Sequence, residues 1–251
     1  MVYFVVYRAS KNHSNRSLIP NRLRTLNCRQ VKGTFWEFDR EKSRQVFNIL
    51  RDNEPVFLKR TKEIRRRLLA EGVIQDLGSM VVVALKGPKD KKENIRILVK
   101  KAPCIRLCRR VYAFYQRQTQ FDPENRLVDA RSLAVGVKDL QGEATLIPKI
   151  VMLNRRSIQR LVEETKRHLE KEILDIVSSC KQVCEKHSGD ELDQKQIHEA
   201  LRRLRRRFVN ARRKAIYFER WIALDFSKSM MSAYRSLLKL KHASQKQMPL
   251  L

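Results

Sequence analysis

Glycine and proline are scarce in this 251-residue chain, seven of each. That excludes the collagenous and low-complexity classes, which are rich in both. No apolar run approaches the ~20 residues of a membrane-spanning helix. The opening Met1-Val-Tyr-Phe-Val-Val-Tyr lacks a basic leader and a small-residue cleavage site, so it reads as a strand rather than a signal peptide. The five cysteines are an odd number without the spacing of a secreted disulfide framework, which suits a reducing cytoplasm. A glycine-rich phosphate loop, G-x-S-x-G and H-E-x-x-H are all missing, so no common catalytic signature is present. Acidic residues are also short: 27 Asp+Glu face 55 Lys+Arg, a formal net charge of +28.

That excess is the largest positive feature of the chain. A compact state repels itself at such a charge, and a phosphate backbone is the partner that best relieves the repulsion, because each neutralised phosphate releases counterions. The excess is not confined to a tail. Residues 1–80 hold 17 basic and 8 acidic residues, 81–153 hold 15 and 7, and 154–251 hold 23 and 12. Each folded part carries its own share, which points to nucleic acid before a membrane surface. Apolar residues, at 42%, suffice for a core.

Periodicity predicts a repeat. Residues 2–8, 29–39 and 55–60 read as strands, with helices over 16–27 and 40–51 between them. Pro20 is tolerated there only in a first helical turn. A basic helix is expected over 61–71, ended by Gly72. The order then recurs, with strands at 79–86, 104–115 and 143–153 and helices at 91–101 and 127–140. The two first strands begin about 77 residues apart. This plan is the split βαβ arrangement. The reading is therefore α+β: ferredoxin-like modules at 1–60 and 79–153, a basic linker helix at 61–78, and a helical region at 154–251. In that last region apolar positions spaced three and four apart run from Ile158 to Val183 and from Ile197 to Ile222. They predict an antiparallel helical hairpin, with Asp190 or Asp193 capping its second arm. A further helix over 226–241 would bury Met230, Tyr234, Leu237 and Leu238.

The first module, YFVVYR…RSLIPNRLRTLNCRQVKGTFWEFD…PVFLKR, resembles the small CRISPR adaptation nuclease family. There a first strand leads into a helix rich in Arg and Leu and then a strand ending near an aromatic–acidic pair. The second module and the helices after it are similar to the chromate-resistance regulatory protein family. The matching stretches are MVVVALKGPKDKKENIRILVKK, CRRVYAFYQ and GEATLIPKI, then LRRLRRRFVNARRKAIYFERWIALDF. The nuclease resemblance implies an Asp just after the first strand, where paired chains hold a metal. Arg8 stands there, and Lys86-Gly87 in the second module. A cation cannot ligate Mg²⁺, so the resemblance implies that cleavage at this site is lost and that Arg8 offers its charge to a phosphate.

Binding candidates fall in four groups. Arg202, Arg203, Arg205, Arg206, Arg207, Arg212, Arg213 and Lys214 place eight cations in thirteen positions on one helix, flanked only by Glu199 and Glu219. Arg suits bidentate phosphate contact. A solvated helix face is the plainer alternative. Lys59, Arg60, Lys62, Arg65, Arg66 and Arg67 surround the expected linker helix, and Lys86, Lys89, Lys91, Lys92, Lys100 and Lys101 form a looser set. Arg109 and Arg110 adjoin Tyr112, Phe114 and Tyr115, an arrangement that on an open sheet stacks bases. Burial of these aromatics in the core is the reading favoured here.

Other chemistry is thin. Cys180, Cys184 and His187 share a helix, and Cys104 and Cys108 a strand, but no C-x-x-C pair provides zinc spacing, so buried apolar thiols are expected. His13, His168, His187, His198 and His242 fall on loops or exposed helix faces, and a His13–Lys11 ribonuclease pair is a minor alternative. The expectation is a non-catalytic, cytoplasmic nucleic-acid-binding protein without metal or cofactor. It acts either as a DNA-binding transcription regulator or as a structured-RNA, ribosome-associated factor, and a homodimer is left open. A diverged metal-dependent nuclease and a protein-interaction scaffold are the competing classes.

Overall fold

The computed structural model describes residues 2–8, 18–65, 67–68, 74–118, 124, 126–188 and 193–245. The chain is α+β and divides into two compact units, 1–163 and 164–251.

The first unit is built on one eight-stranded antiparallel sheet. Its first half runs β1 (Val2–Val6), α1 (Leu18–Thr25), β2 (Arg29–Lys32), β3 (Phe35–Asp39), α2 (Ser43–Leu50) and β4 (Val56–Arg60). Two short strands follow, β5 (Arg67–Leu68) and β6 (Ile74–Asp76), paired with each other. The second half runs β7 (Met80–Lys86), α3 (Lys92–Lys101), β8 (Ile105–Cys108), β9 (Val111–Tyr115), α4 (Ala130–Asp139) and β10 (Glu143–Met152). The order across the sheet is β2-β3-β1-β4-β10-β7-β9-β8. Each half thus repeats the same element order and the same strand order, and the halves join where β4 pairs β10 over three residues.

Alternation along the strands explains the layers. Tyr3, Val5, Tyr7, Trp36 and Phe38 face α1 and α2 and pack with Ile19, Leu23, Val46 and Leu50. Val83, Leu85 and Phe114 pack likewise with Leu133 and Val137 of α4. The opposite faces are as fully buried, with Val6, Phe35, Leu58, Val82, Ile105, Leu107 and Ala113 all inaccessible. The sheet covers these residues by folding back on itself. Arg8 follows β1, which stands five strand steps from β8, about 24 Å in a flat sheet. Yet its Nε donates to Leu107 O at 3.0 Å and its Nη2 to Arg106 O at 3.1 Å. Thr34 Oγ1 donates to Cys108 Sγ at 3.1 Å, and Lys32 Nζ lies 2.5 Å from Glu143. The bend is served by β10, whose register shifts between Ile147 and Ile150. Pro148 fits this bulge because it has no N–H to pair, and Lys149 takes φ +60° beside it.

Three expectations are corrected. The strand expected over 29–39 is a hairpin, β2–β3, turned by Gly33 at φ +54°. The strand expected over 104–115 is likewise β8–β9, turned at Arg109–Arg110 with Arg110 at φ +67°. The basic helix expected over 61–71 is not formed in its described part. Thr61 N donates to Lys149 O, Ile64 N donates to Ser79 Oγ and Ile64 O accepts from Ser79 N, so sheet neighbours take the groups a helix would pair internally. Gly72 lies outside the described residues.

The second unit consists of helices. α5 (Arg155–Ser188) enters it, and α6 (Gln194–Ile222) and α7 (Ser227–Gln245) follow. The antiparallel pairing of α5 and α6 is marked by Glu172 against Lys214 and by Cys180 near Arg207, positions that run in opposite directions along the two helices. Among the described residues no helix is long and apolar enough to cross a membrane.

Candidate nucleic-acid interface

α6 begins at a reciprocal cap. The Asp193 carboxylate accepts from Gln196 N at 2.7 Å, and the Gln196 side chain accepts from Asp193 N at 3.1 Å. This fixes the helix start; Asp190, the other expected cap, lies outside the described residues. Ile197, Ala200, Leu204, Phe208, Ala211, Ala215, Phe218 and Ile222 recur at three and four and are all buried. At 100° per residue they centre on one side of the helix. His198, Arg202, Arg205, Arg206, Val209 and Arg213 centre on the other, where with Leu201 and Asn210 they line a common recess.

The helix carries ten basic and two acidic residues. Arg202, Arg203, Arg205, Arg206, Arg207 and Arg212 are exposed and Arg213 is half-buried. Among the described residues no carboxylate forms an ion pair with any of the seven. The eighth cation is a correction. Lys214 is 6% exposed, and its Nζ lies 2.5 Å from Glu172 of α5. One residue beyond Arg213, the helix has turned it away from the recess, so it holds two helices together instead of offering charge to a ligand.

Leu201 belongs to the apolar stripe expected to face the core, but it is only half-buried and lines the recess, where with the exposed Val209 it sets aliphatic surface between the guanidinium groups. His198 Nδ1 lies 2.8 Å from Gln194 O. A carbonyl only accepts, so Nδ1 carries the hydrogen and Nε2 is the acceptor in the neutral ring. His198, Arg202, Arg205, Val209 and Arg213 recur at three and four, and that spacing is the signal in the sequence for this arc of the helix.

The other candidates scatter. Arg60, Lys62 and Arg65 are exposed, but the helix expected to carry the last two is not formed in its described part. Lys59 is half-buried, its Nζ 5.8 Å from the centre of the Tyr3 ring. Arg66 and the side chain of Arg67 lie outside the described residues, as do His13 and Lys11. Arg109 is exposed and Arg110 half-buried in the β8–β9 turn, while Phe114 and Tyr115 beside them are buried in the core. Arg8 is also a correction. Besides its two backbone acceptors it faces Glu54 at 3.9 Å, so its guanidinium closes the sheet and is not held out for a phosphate. The corresponding Lys86 pairs with Glu143 at 2.8 Å, and Lys91 stands 3.7 Å from Asp90.

Cys28, Cys108 and Cys180 are buried, and none of the five cysteines forms a disulfide. Burial pushes the Cys108 and Cys180 thiols up to about 11, which keeps them protonated and weakly nucleophilic.

Comparison with known proteins finds nothing similar: no family model, no curated protein and no solved structure matches the chain.

Proposed function

We propose that this protein binds nucleic acid without cleaving it, through phosphate neutralisation by the arginine face of α6. The observation that carries the reading is the set Arg202, Arg205, Arg206 and Arg213, which line one recess and have no carboxylate partner among the described residues. Several cations elsewhere are balanced locally: Arg160 meets Glu54, Lys32 and Lys86 meet Glu143, and Lys214 meets Glu172. A solvated surface needs no such concentration of one sign, whereas a polyanion supplies the missing charge and releases its counterions. Arginine in particular can grip phosphate with two donors.

The first unit serves this reading as a scaffold. We take its halves to be ferredoxin-like modules in tandem, supported by the repeated β4-β1-β3-β2 and β10-β7-β9-β8 orders. The proposed relation to the CRISPR adaptation and chromate-resistance regulatory families rests on the sequence resemblance. The non-catalytic part rests on Arg8 and Lys86, both engaged in internal bonds where the resembled nuclease holds its metal carboxylate.

The test is charge reversal of Arg202, Arg206 and Arg213 to Glu in the full chain. Affinity for a short RNA or DNA should fall by orders of magnitude, and the slope of log affinity against log salt should shrink by about three, one for each lost phosphate contact. An unchanged slope removes α6 as the interface. Shortening of the bound strand in the presence of Mg²⁺ would overturn the non-catalytic reading.

A further inference from the structure

We infer that Tyr234 is a stacking platform for an unpaired base, so that the strand held along α6 is single-stranded where it passes this residue. The inference rests on the nucleic-acid reading above and adds the state of the bases.

The periodicity of α7 assigns Tyr234 to the core, together with Met230, Leu237 and Leu238. Leu237 is buried, but Tyr234 remains 49% exposed, and Met231, one turn earlier, 52%. The tyrosine ring leans on Phe208 of α6, with centroids 6.2 Å apart and planes tilted by 34°. Phe208 is itself buried. The exposed ring therefore has a fixed aromatic support beneath it and solvent around the rest.

Its neighbours give the exposure a direction. Arg205 and Arg212 lie three residues before and four after Phe208. Such residues adjoin on one side of a helix, with Cβ atoms about 5–6 Å apart. Leu201, two turns before Phe208, falls on the same side and with Arg205 lines the recess. Tyr234 thus projects beside the stretch of α6 that carries Arg205 and Arg212, two arginines with no carboxylate partner among the described residues. Single surface aromatics are ordinary. An aromatic braced by a second ring and bordered by uncompensated guanidinium groups is the combination that binds single strands: cations take the phosphates and the ring takes a base face. In a duplex that face is already covered by the next base pair, so only an unpaired base can use Tyr234. A phenol ring reads no sugar, so the chemistry is shared by RNA and DNA.

The experiment uses the full chain and four probes of about 12 nucleotides, a length within the span of known single-strand sites. They are oligoadenylate as RNA, oligoadenylate as DNA, a duplex, and an abasic strand with the same phosphates. Tyr234→Ala should weaken binding of at least one oligoadenylate by roughly tenfold or more, within the range found for removal of a stacking aromatic. Duplex and abasic strand should change by less than about twofold, and the salt slope should stay as in the wild type. Tyr234→Phe and Tyr234→Trp should keep the wild-type affinity, which separates the role of the ring from any loss of folding in the alanine variant. An equal loss on all four probes, or no loss on either oligoadenylate, overturns the inference. If the arginine reversal weakens binding while Tyr234→Ala changes nothing, stacking alone fails and the phosphate reading survives. If the wild type binds none of the probes, both fail.

Discussion

Arg213 and Lys214 are adjacent cations with opposite roles. A helix turns about 100° per residue, which carries Arg213 to the recess and Lys214 to the side facing Glu172. Composition cannot separate them, because both add the same charge to a basic run. The separation requires the position of the core stripe and then the carboxylate on the neighbouring helix. Breaking a buried pair costs more than the pair contributes, since the remaining charge loses its partner. Glu172 keeps partial access to water, its side chain being 33% exposed, which limits the cost. Lys214→Met should therefore lower unfolding stability by about 1–3 kcal/mol, the scale of a charged hydrogen bond. Adding Glu172→Leu should restore most of that loss, because no unpaired charge then remains. Denaturant midpoints of the single and double variants check this, and nucleic-acid affinity of the folded variants should stay unchanged.

At the scale of elements, Glu143 at the start of β10 receives Lys32 of β2 and Lys86 of β7 and so ties the folded-back sheet together. Hydrogen bonds from Lys32 and then Lys86 hold its carboxyl down at about 2, against an ordinary value of 4.5. The folded value is the lower one, so the carboxylate adds stability above pH 4.5, and that contribution drains away as the pH falls toward 2. Glu143→Gln should be less stable than the wild type at neutral pH, and the difference should close across that acid window; both ends are open to thermal melts at a series of pH values. This clamp was not legible from sequence, since Lys32 and Glu143 are 111 residues apart. The elements themselves largely were. Apolar spacing located all seven α-helices among the described residues because the apolar positions of each recur at helical spacing, even in α3, where they are only partly buried. What spacing missed were the two hairpin turns and the linker. Arg110 at φ +67° carries no turn signature, and Gly33 sits inside an alternating run that reads as unbroken strand. The linker pattern suited a helix, and long-range hydrogen bonds from Lys149 and Ser79 overrode it. In the candidate interface the arginines were plain from their density. Tyr234 was not, because an aromatic at helical spacing looks like core until the neighbouring helix is in place.

Across the whole molecule the charge has a consequence that no single site carries. Residues 1–163 hold 35 basic and 16 acidic residues, and 164–251 hold 20 and 11, so both units are strongly positive. Compact states of one sign repel themselves, and mobile ions relieve the repulsion. The screening length falls from about 30 Å at 0.01 M salt to about 8 Å at 0.15 M, so most of that relief comes within this range. The free protein should accordingly melt at a higher temperature as salt rises through it. A bound nucleic acid reverses the sign. The polyanion already supplies the screening, and its binding to the folded state adds stability in proportion to its affinity. Salt lowers that affinity steeply. The complex should therefore melt highest at low salt and lose its advantage as salt increases, so that the two melting curves converge toward the high-salt end. Thermal melts of the protein with and without oligonucleotide, across the same salt series, measure both slopes. Slopes of the same sign would mean that the bound strand does not relieve the charge that dominates this chain.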